Sequence, residues 1–306
     1  MINSFDGTPI NVRIWDEATT PKGIVQISHD IGEHSGKYVD FAKILQDVGY
    51  IVFCPDLRGF GLTEPKDSLG YHDGDVFKDS VQDVIFLSQH FSRVYNLPIF
   101  LLGIGYGSFL TQSALEHNIS SVGVILASSG YIDKITSEFG KIALKFLPKK
   151  KKSLLFSTYN ARCNSRYKTE KGQKLWLTAD ETMRNEFLSD SLCDLTPSNH
   201  FCYSLTKGLS DMLAWKDISE QTKNTPLAFF VGRQDPHAGK NASKVITLYK
   251  KYRKIGFSSV RLFIYEKARH NVLHEVDRKC YVNHMLGFIN RCFVSHVVST
   301  IGNNDN

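Results

Sequence analysis

Short apolar runs alternate along the chain with longer segments in which apolar residues recur on one side of a helix. The segment 75–95 shows this helical spacing most clearly. The short runs are continuous rather than alternating, which is typical of strands buried on both faces of a parallel sheet. They cover residues 23–28, 50–54, 98–102, 121–127, 226–231 and 260–265. The pattern predicts an α/β fold, a mostly parallel central sheet with helices on both faces.

The alternation stops between residues 131 and 205, where the chain is more polar and more basic. We interpret this stretch as an inserted helical cap, so that residues 1–130 and 206–306 form the core domain. Beyond the cap we predict a helix near 205–215 and a last helix over 276–294. The final residues 303–306 are expected to form a frayed tail.

A glycine-rich turn joins the predicted strand 98–102 to a helical segment that begins at Ser108. Strand, sharp turn and helix form the setting of the nucleophile elbow, G-x-S-x-G, in which the middle serine attacks the substrate. Here the turn reads Gly103-Ile104-Gly105-Tyr106-Gly107. The middle position is Gly105, which has no side chain and cannot supply a nucleophile.

Two further residues follow later strands in the order that a catalytic triad of this kind requires. Asp235 comes after the run 226–231 and His270 comes after the run 260–265. Because ligands bind at the carboxyl ends of parallel strands, we expect these side chains to meet at one edge of the sheet. Asp235 would orient the imidazole of His270, which would act as general base and then as general acid.

Several segments in order along the chain resemble the monoacylglycerol lipase and lysophospholipase group of α/β-hydrolases, a group also classed with serine aminopeptidases. Residues 29–38 read HDIGEHSGKY and resemble HG-x-x-EHSGRY of that group. Residues 56–63, DLRGFGLT, resemble D-x-RGHG-x-T, and residues 102–108, LGIGYGS, resemble LGHSMGS. Residues 232–236 and 268–275 resemble the loops that carry its acid and its histidine. The resemblance implies an α/β-hydrolase fold whose family activity is serine-dependent hydrolysis of carboxylic esters and lipids.

The departures from that group lie around the nucleophile. Gly105 stands at the position of the family's serine, and Ile104 and Asp30 replace its elbow histidine and first-loop glycine. The resemblance implies that the backbone N–H groups of Ile31 and Tyr106 form the oxyanion hole. Asp30, which we place in the pocket with His29, would put a negative charge where negative charge must develop, and this opposes catalysis.

These residues predict a pseudohydrolase, without serine-dependent turnover, that binds an acyl-like or lipid-like small ligand or a protein partner. The alternative from the enzyme class is an active ester or lipid hydrolase that uses another nucleophile or a water molecule. The candidates for another nucleophile are Ser108, Ser128, Ser129 and Cys54. A third interpretation is an inactivated variant of a lysophospholipase-like enzyme. Enzymatic activity therefore stays open at this point, with absence of turnover favoured.

The net charge of +6 is modest, and part of it comes from the run 149–152, four consecutive lysines. The run has no aromatic interleaving and belongs to no DNA-binding motif, so we expect no nucleic-acid partner. In the simplest interpretation, the lysine run is a solvated loop. In a second interpretation, it anchors the cap to a membrane surface as a peripheral contact. The six cysteines form no metal-type spacing. We expect no cofactor, no metal and a cytoplasmic location, and the oligomeric state stays open.

Overall fold

A seven-stranded sheet forms the centre of the computed structural model, which describes residues 1–212 and 218–304. Its strand order is β3-β5-β4-β6-β7-β8-β9; β3 is antiparallel to β5, and the other neighbours are parallel. The strands are β3 (Val12–Trp15), β4 (Gly23–Ser28), β5 (Tyr50–Pro55), β6 (Ile99–Ile104), β7 (Gly123–Ala127), β8 (Leu227–Gly232) and β9 (Val260–Tyr265). Two short strands, β1 (Ile2–Asn3) and β2 (Pro9–Ile10), pair separately.

Ten α-helices occur among the described residues. They are α1 (Val39–Asp47), α2 (Val76–Tyr95), α3 (Tyr106–Glu116), α4 (Lys134–Lys145), α5 (Leu154–Asn164), α6 (Glu181–Ser189), α7 (Asn199–Asp211), α8 (Glu220–Asn224), α9 (Ser243–Lys254) and α10 (Arg278–Asn304). In the part of the chain described here, none of them combines the length and the apolarity needed to cross a membrane.

Alternate side chains of the central strands enter two separate cores, one on each face of the sheet. In β6, Phe100 and Leu102 pack with residues of α1 and α10, whereas Leu101 packs with residues of α2, α3 and α9. Both faces are therefore buried, which explains why these strands read as continuous apolar runs. The predicted fold class, a mostly parallel sheet with helices on both faces, is confirmed.

The helices α4 to α8 lie between β7 and β8, in a segment that we call the helical insertion (residues 128–226). The helix predicted over 205–215 begins earlier, at Asn199, because Ser198 accepts a hydrogen bond from the backbone of Phe201 and caps it there. The predicted cap boundary at residue 205 thus falls inside α7. The end of the predicted helix, residues 213–215, lies outside the described residues.

The last helix is longer than predicted, since α10 continues to Asn304 rather than ending near residue 294. The expected frayed tail is accordingly wrong for residues 303 and 304, and residues 305–306 lie outside the described part. Val298 and Ile301 in this extension are mostly exposed, 65% and 59%. Without a buried stripe, the sequence carried little signal for this part of the helix.

Candidate functional site

The loops that follow β4, β6, β8 and β9 meet at the carboxyl edge of the sheet. Asp235, three residues after β8, and His270, five residues after β9, are both buried there. The Nδ1 atom of His270 lies 3.0 Å from Oδ2 of Asp235, whose other oxygen accepts the backbone N–H of His237 at 2.8 Å. The structure therefore brings together the acid and the histidine predicted from the sequence.

Gly105 forms the turn between β6 and α3, with φ 51° and ψ −114°. This backbone conformation favours glycine, and it turns the chain sharply from strand to helix. The backbone N–H of Gly105 donates to the carbonyl of Ala127 at 3.1 Å. Gly107 packs so tightly that an added Cβ would lie 2.0 Å from the carbonyl oxygen of Ser28. The predicted strand-turn-helix arrangement is present, with glycine at its apex.

The carboxylate of Asp30 lies at the centre of the site and accepts three hydrogen bonds. Its Oδ1 atom accepts the backbone N–H groups of Ile31 at 2.8 Å and of Tyr106 at 2.6 Å. Its Oδ2 atom lies 2.8 Å from Nε2 of His270. The two backbone donors that the resemblance assigned to the oxyanion hole thus both bind a side chain of the protein itself.

Asp30 also fills the space beside Gly105. A Cβ atom added to Gly105 would lie 2.1 Å from Cγ of Asp30 and within 2.4 Å of both carboxylate oxygens. Such distances are far shorter than van der Waals contact, so any side chain at residue 105 requires Asp30 to move. The sequence pointed to Asp30 as an opposing charge, but it did not indicate this direct occupation.

Burial and the two carboxylates have opposite effects on His270. Burial alone would lower the pKa of His270, but the charges and hydrogen bonds of Asp235 and Asp30 outweigh it and hold the pKa well above its ordinary value. Burial would likewise raise the pKa of Asp30, but the hydrogen bond and charge of His270 and the two backbone donors hold it below its usual range. The site is therefore an ion triad in which a protonated imidazole lies between two carboxylates.

His29, the other predicted pocket residue, has a structural role in the loop after β4. Its Nδ1 atom donates to the carbonyl of Asp30 at 2.7 Å, and its Nε2 atom accepts the backbone N–H of Leu57 at 2.9 Å. Burial lowers its pKa, which favours this neutral form. Its side chain is fully buried and joins two loops, whereas the cavity above the site is lined by its neighbour Asp30.

A cavity of about 420 Å³ lies between this edge of the sheet and the helical insertion. Asp30, Gly105 and His270 line it, and most of its wall is apolar. The apolar lining includes Ile31, Phe109, Ile132, Phe156, Leu177, Phe187, Leu195, Leu205 and Leu209. A larger groove of about 1160 Å³ lies at the opposite, amino-terminal ends of the strands, and its lining contains none of the site residues.

Two aromatic side chains that the sequence did not single out for the site pack around His270. Its ring centroid lies 4.5 Å from that of His237 and 5.3 Å from that of Trp176 in the helical insertion. Burial lowers the pKa of His237 to about 4, so this second imidazole is neutral beside the charged one. The position of His237, two residues after Asp235, was the one signal that could have identified it.

The alternative nucleophiles differ in their surroundings. Ser108 is fully buried, donates to the carbonyl of Gly105 at 2.6 Å and lies 2.9 Å from Oγ of Ser129, which fits a structural role. Burial raises the pKa of the Cys54 thiol well above its ordinary value, so this residue stays protonated. Ser128 lines the cavity and has a positive φ of 52°.

Among the residues that the structure describes, one group of side chains has the spacing of a possible metal site, namely His34, Asp190 and Cys193, whose ligating atoms lie within 4.8 Å of one another. The Nδ1 atom of His34 accepts the backbone N–H of Gly36 at 3.1 Å, so the proton sits on Nε2, which faces Asp190 at 2.9 Å. The nitrogen that could bind a metal is thus already a donor, and burial keeps the Cys193 thiol protonated by raising its pKa. The group fits a hydrogen-bonded link between the insertion and the core.

Curated relatives match parts of the chain. Human monoglyceride lipase is 31% identical over 169 residues, 54% of this chain and 54% of its own length. A monoglyceride lipase homolog of Monkeypox virus is 32% identical over 115 residues, 38% of this chain and 41% of its own length. The chain thus spans about half the length or less of these two relatives.

Solved structures match nearly all of the chain. The fold is similar to that of a carboxyl esterase from Bacillus coagulans in complex with glycerol, with a TM-score of 0.80, 20% identity and coverage of 95% of this chain and 97% of that one. A soluble variant of monoglyceride lipase from Saccharomyces cerevisiae matches with a TM-score of 0.73, 19% identity and 94% of both chains. The model of the serine aminopeptidase S33 family matches residues 19–277. This match covers most of the sequence, and the chain belongs to the serine aminopeptidase S33 family of α/β-hydrolases.

Proposed function

We propose that this protein is a pseudohydrolase. It belongs to the family but has no serine-dependent turnover, and it binds an amphiphilic small ligand beneath the helical insertion, which acts as its cap. In this proposal Gly105 occupies the position of the missing nucleophile. The observation that carries the proposal is the carboxylate of Asp30, which accepts both backbone donors and leaves no room for a side chain at residue 105.

The protonation of His270 supports the same conclusion. A general base must have a free nitrogen to accept a proton from a nucleophile or a water molecule. Carboxylates only accept hydrogen bonds, so the bonds of Nδ1 to Asp235 and of Nε2 to Asp30 require protons on both nitrogens. In this arrangement His270 has no lone pair for catalysis, and activation of water by His270 is disfavoured as well.

The cavity supports the binding half of the proposal. Its volume of about 420 Å³ lies within the range of small-molecule sites, and its apolar wall suits an alkyl or acyl chain. The helical insertion is fixed to the site by backbone hydrogen bonds from His270 to Trp176 at 3.2 Å and from Asn271 to Leu177 at 2.8 Å. A site held in this way is pre-formed, which lowers the entropic cost of binding.

Activity-based labelling tests the absence of turnover. The unaltered protein is incubated with a fluorophosphonate probe and with a short-chain nitrophenyl ester, beside an active serine esterase as positive control. We expect no covalent adduct by intact-protein mass spectrometry and ester hydrolysis no faster than free imidazole in buffer. A stoichiometric adduct would refute the proposal, and its site by peptide mapping, Ser128 for example, would support the active-hydrolase alternative.

We further propose that the cap contacts a lipid surface as a peripheral membrane element. On α4, Ile135, Phe139 and Ile142 lie on one face and are exposed by 70%, 70% and 60%, and Phe146 at its end is exposed by 83%. The exposed lysines 149–152 follow directly. An apolar face next to lysines is the composition of helices that bind anionic interfaces. Thr136 in the first turn of α4 lines the cavity, so that a ligand could enter from the bilayer side.

Sedimentation with vesicles tests this contact. We expect binding to vesicles that contain phosphatidylserine, weaker binding at high salt, and loss of most binding in Phe139→Ser/Ile142→Ser. Val298→Ser, which removes an apolar side chain of similar exposure from α10, is the matched control and should bind like the unaltered protein. Equal loss in both variants would contradict a specific role of α4.

A further inference from the structure

The floor of the cavity is the part lined by Asp30. It carries a carboxylate where a site for carboxylate ligands would carry free hydrogen-bond donors. We propose that Asp30 makes the cavity selective for amphiphiles with a neutral or cationic head group and excludes fatty-acid carboxylates. This inference rests on the ligand-binding function proposed above and adds to it the chemical class of the ligand.

The hydrogen-bond donors at the floor of the cavity already have an acceptor in Asp30. The backbone N–H groups of Ile31 and Tyr106 both donate to Oδ1 of Asp30, at 2.8 and 2.6 Å. The Nε2–H group of His270 donates to Oδ2 at 2.8 Å. These three N–H groups would otherwise suit the oxygens of an anionic head group, as donors at the start of a helix do. An incoming carboxylate must displace Asp30 to reach them.

The charge of the ion triad also opposes the binding of a ligand carboxylate. His270 carries one positive charge between the carboxylates of Asp30 and Asp235, so the ion triad has a net charge of −1 at neutral pH. A ligand carboxylate at this end of the cavity would be repelled by this charge in surroundings that screen poorly. An ammonium group would be attracted, and a hydroxyl group would carry no such penalty.

Asp30 keeps a remaining capacity to accept hydrogen bonds. A carboxylate has about four acceptor positions. Three are filled here, two on Oδ1 and one on Oδ2, and the side chain keeps 14% of its surface exposed toward the cavity that it lines. Oδ2 can therefore accept one more donor, which a hydroxyl or an ammonium group supplies and an ionised carboxylate does not.

Glu33 also lines the cavity beside Asp30, but its carboxylate is buried and accepts hydrogen bonds from Asn271 and Tyr38. The cavity wall carries further charged residues. Lys174 is paired with Asp194 at 2.6 Å. Asp133 caps the start of α4 and accepts the backbone N–H of Thr136 at 3.0 Å. Lys244, on α9, is half-buried and is the cation that could hold a ligand carboxylate outside the floor. Its substitution therefore belongs in the test.

A head-group series measures the preference directly. Dodecanol, dodecylamine and dodecanoic acid, which share one alkyl chain, compete with a neutral environment-sensitive alkyl fluorophore for the unaltered protein at neutral pH. We expect the alcohol and the amine to bind at least about tenfold more tightly than the acid. In Asp30→Asn, which removes the charge but keeps the shape, the difference should shrink to less than about threefold. In Asp30→Ala, which frees the two backbone donors, the acid should become the tighter ligand.

The control is Asp133→Ser, which removes a carboxylate from the same cavity wall and keeps a capping side chain at the start of α4. It should leave the preference unchanged, and an equal shift in this variant would assign selectivity to general charge rather than to Asp30. Thermal melting confirms that each variant is folded.

The outcomes separate this inference from the proposed function. If none of the three amphiphiles displaces the fluorophore, or the fluorophore itself does not bind, the ligand-binding function is wrong. If the acid binds the unaltered protein as tightly as the alcohol, the ligand-binding function stands and the selectivity is wrong. Loss of that acid binding in Lys244→Gln would then place the carboxylate at Lys244 instead of at the floor.

Discussion

The two halves of the site lie on opposite sides of His270, and each contains a carboxylate. They differ in their effect on the ability of His270 to act as an acid–base catalyst. On one side, Asp235 and His270 form a carboxylate–imidazole pair with Nδ1 and Oδ2 3.0 Å apart, as an acid–base system requires. On the other side, a second carboxylate, Asp30, binds Nε2 of the same imidazole and two backbone donors. An intact acid–base pair is therefore not a sign of activity by itself, because what binds the opposite nitrogen decides whether the imidazole can accept a proton.

The largest expected effect is a gain of hydrolytic activity when Asp30 is removed and a serine is placed at residue 105. In Asp30→Gly/Gly105→Ser the backbone donors and the space beside residue 105 become free for a serine. We expect fluorophosphonate labelling and nitrophenyl ester turnover at least about 100-fold above those of either single variant. Asp30→Gly/Gly105→Ala is the control and should stay unlabelled. If Gly105→Ser alone were as active as the double variant, Asp30 would not be the block.

The second largest effect is expected on stability, when Asp235 is removed from its pair with His270. Asp235→Ala removes a fully buried partner of a charged imidazole, and loss of one partner of a buried ion pair costs about 3–5 kcal/mol of unfolding free energy. Asp30→Ala should cost less, because its carboxylate is partly exposed to the cavity and water can replace its bonds. Urea denaturation of both variants measures the difference. The reverse order would mean that Asp30, rather than Asp235, is the main partner of His270.

A substitution at Gly105 tests the close contact between residue 105 and Asp30. Gly105→Ala places a Cβ 2.1 Å from Cγ of Asp30 and requires a positive φ, so we expect a loss of about 2–3 kcal/mol in unfolding free energy. Adding Asp30→Gly should recover more than about 1 kcal/mol of that loss in a double-mutant cycle. Strictly additive effects would contradict the contact between the two residues.

The pH dependence of stability reports on the ion triad. The pKa of His270 is raised in the folded state, so its contribution is fully present below the unfolded value of about 6.5 and is lost as the pH rises through the folded value. Each unit of raised pKa corresponds to about 1.4 kcal/mol. The unfolding free energy of the unaltered protein should therefore fall on the alkaline side, and it should fall less in Asp30→Asn. Parallel curves for the two proteins would refute a charged triad.

The smallest effect is expected at a similar pair in a more exposed position. His34 and Asp190 lie 2.9 Å apart, with side-chain exposures of 13% and 28%. Because solvent screens this pair, Asp190→Asn should lower the unfolding free energy by about 1 kcal/mol or less. Chemical denaturation compares it with Asp235→Ala. A loss as large as that of Asp235→Ala would show that the link between insertion and core matters more than its exposure indicates.

The parts of the site that depend on strand order could be predicted from the sequence. Buried strands read as apolar runs, and Asp235 and His270 follow two of them, so their meeting at one sheet edge followed from parallel topology. The glycine-rich turn at Gly105 was equally visible. The fold class was predictable for the same reason, since both faces of the sheet are buried along most of its length.

The position of the Asp30 carboxylate could not be predicted in the same way. It depends on the path of a loop in which Gly32 has a φ of 70°, and on hydrogen bonds to residues from β6–α3 and from the loop after β9. Such contacts join distant segments and leave no periodic signal. Two other features were not predicted because neither is encoded in a local sequence pattern. They are the contact of His237 with His270 and the extension of α10 beyond its predicted end.

Glu33 links these distant segments. Its carboxylate accepts the Nδ2–H of Asn271 at 2.9 Å and the hydroxyl of Tyr38, and it lies 3.4 Å from the backbone nitrogen of Asp30. The residues it joins come from the first and the last part of the chain, 238 positions apart for Asn271. This contact closes a very long loop, whose ordering has a high entropic cost, so we expect it to form after the contacts between neighbouring strands. We therefore expect the geometry around Asp30 to form late in folding, and a chain released before residue 271 is synthesised could not form it.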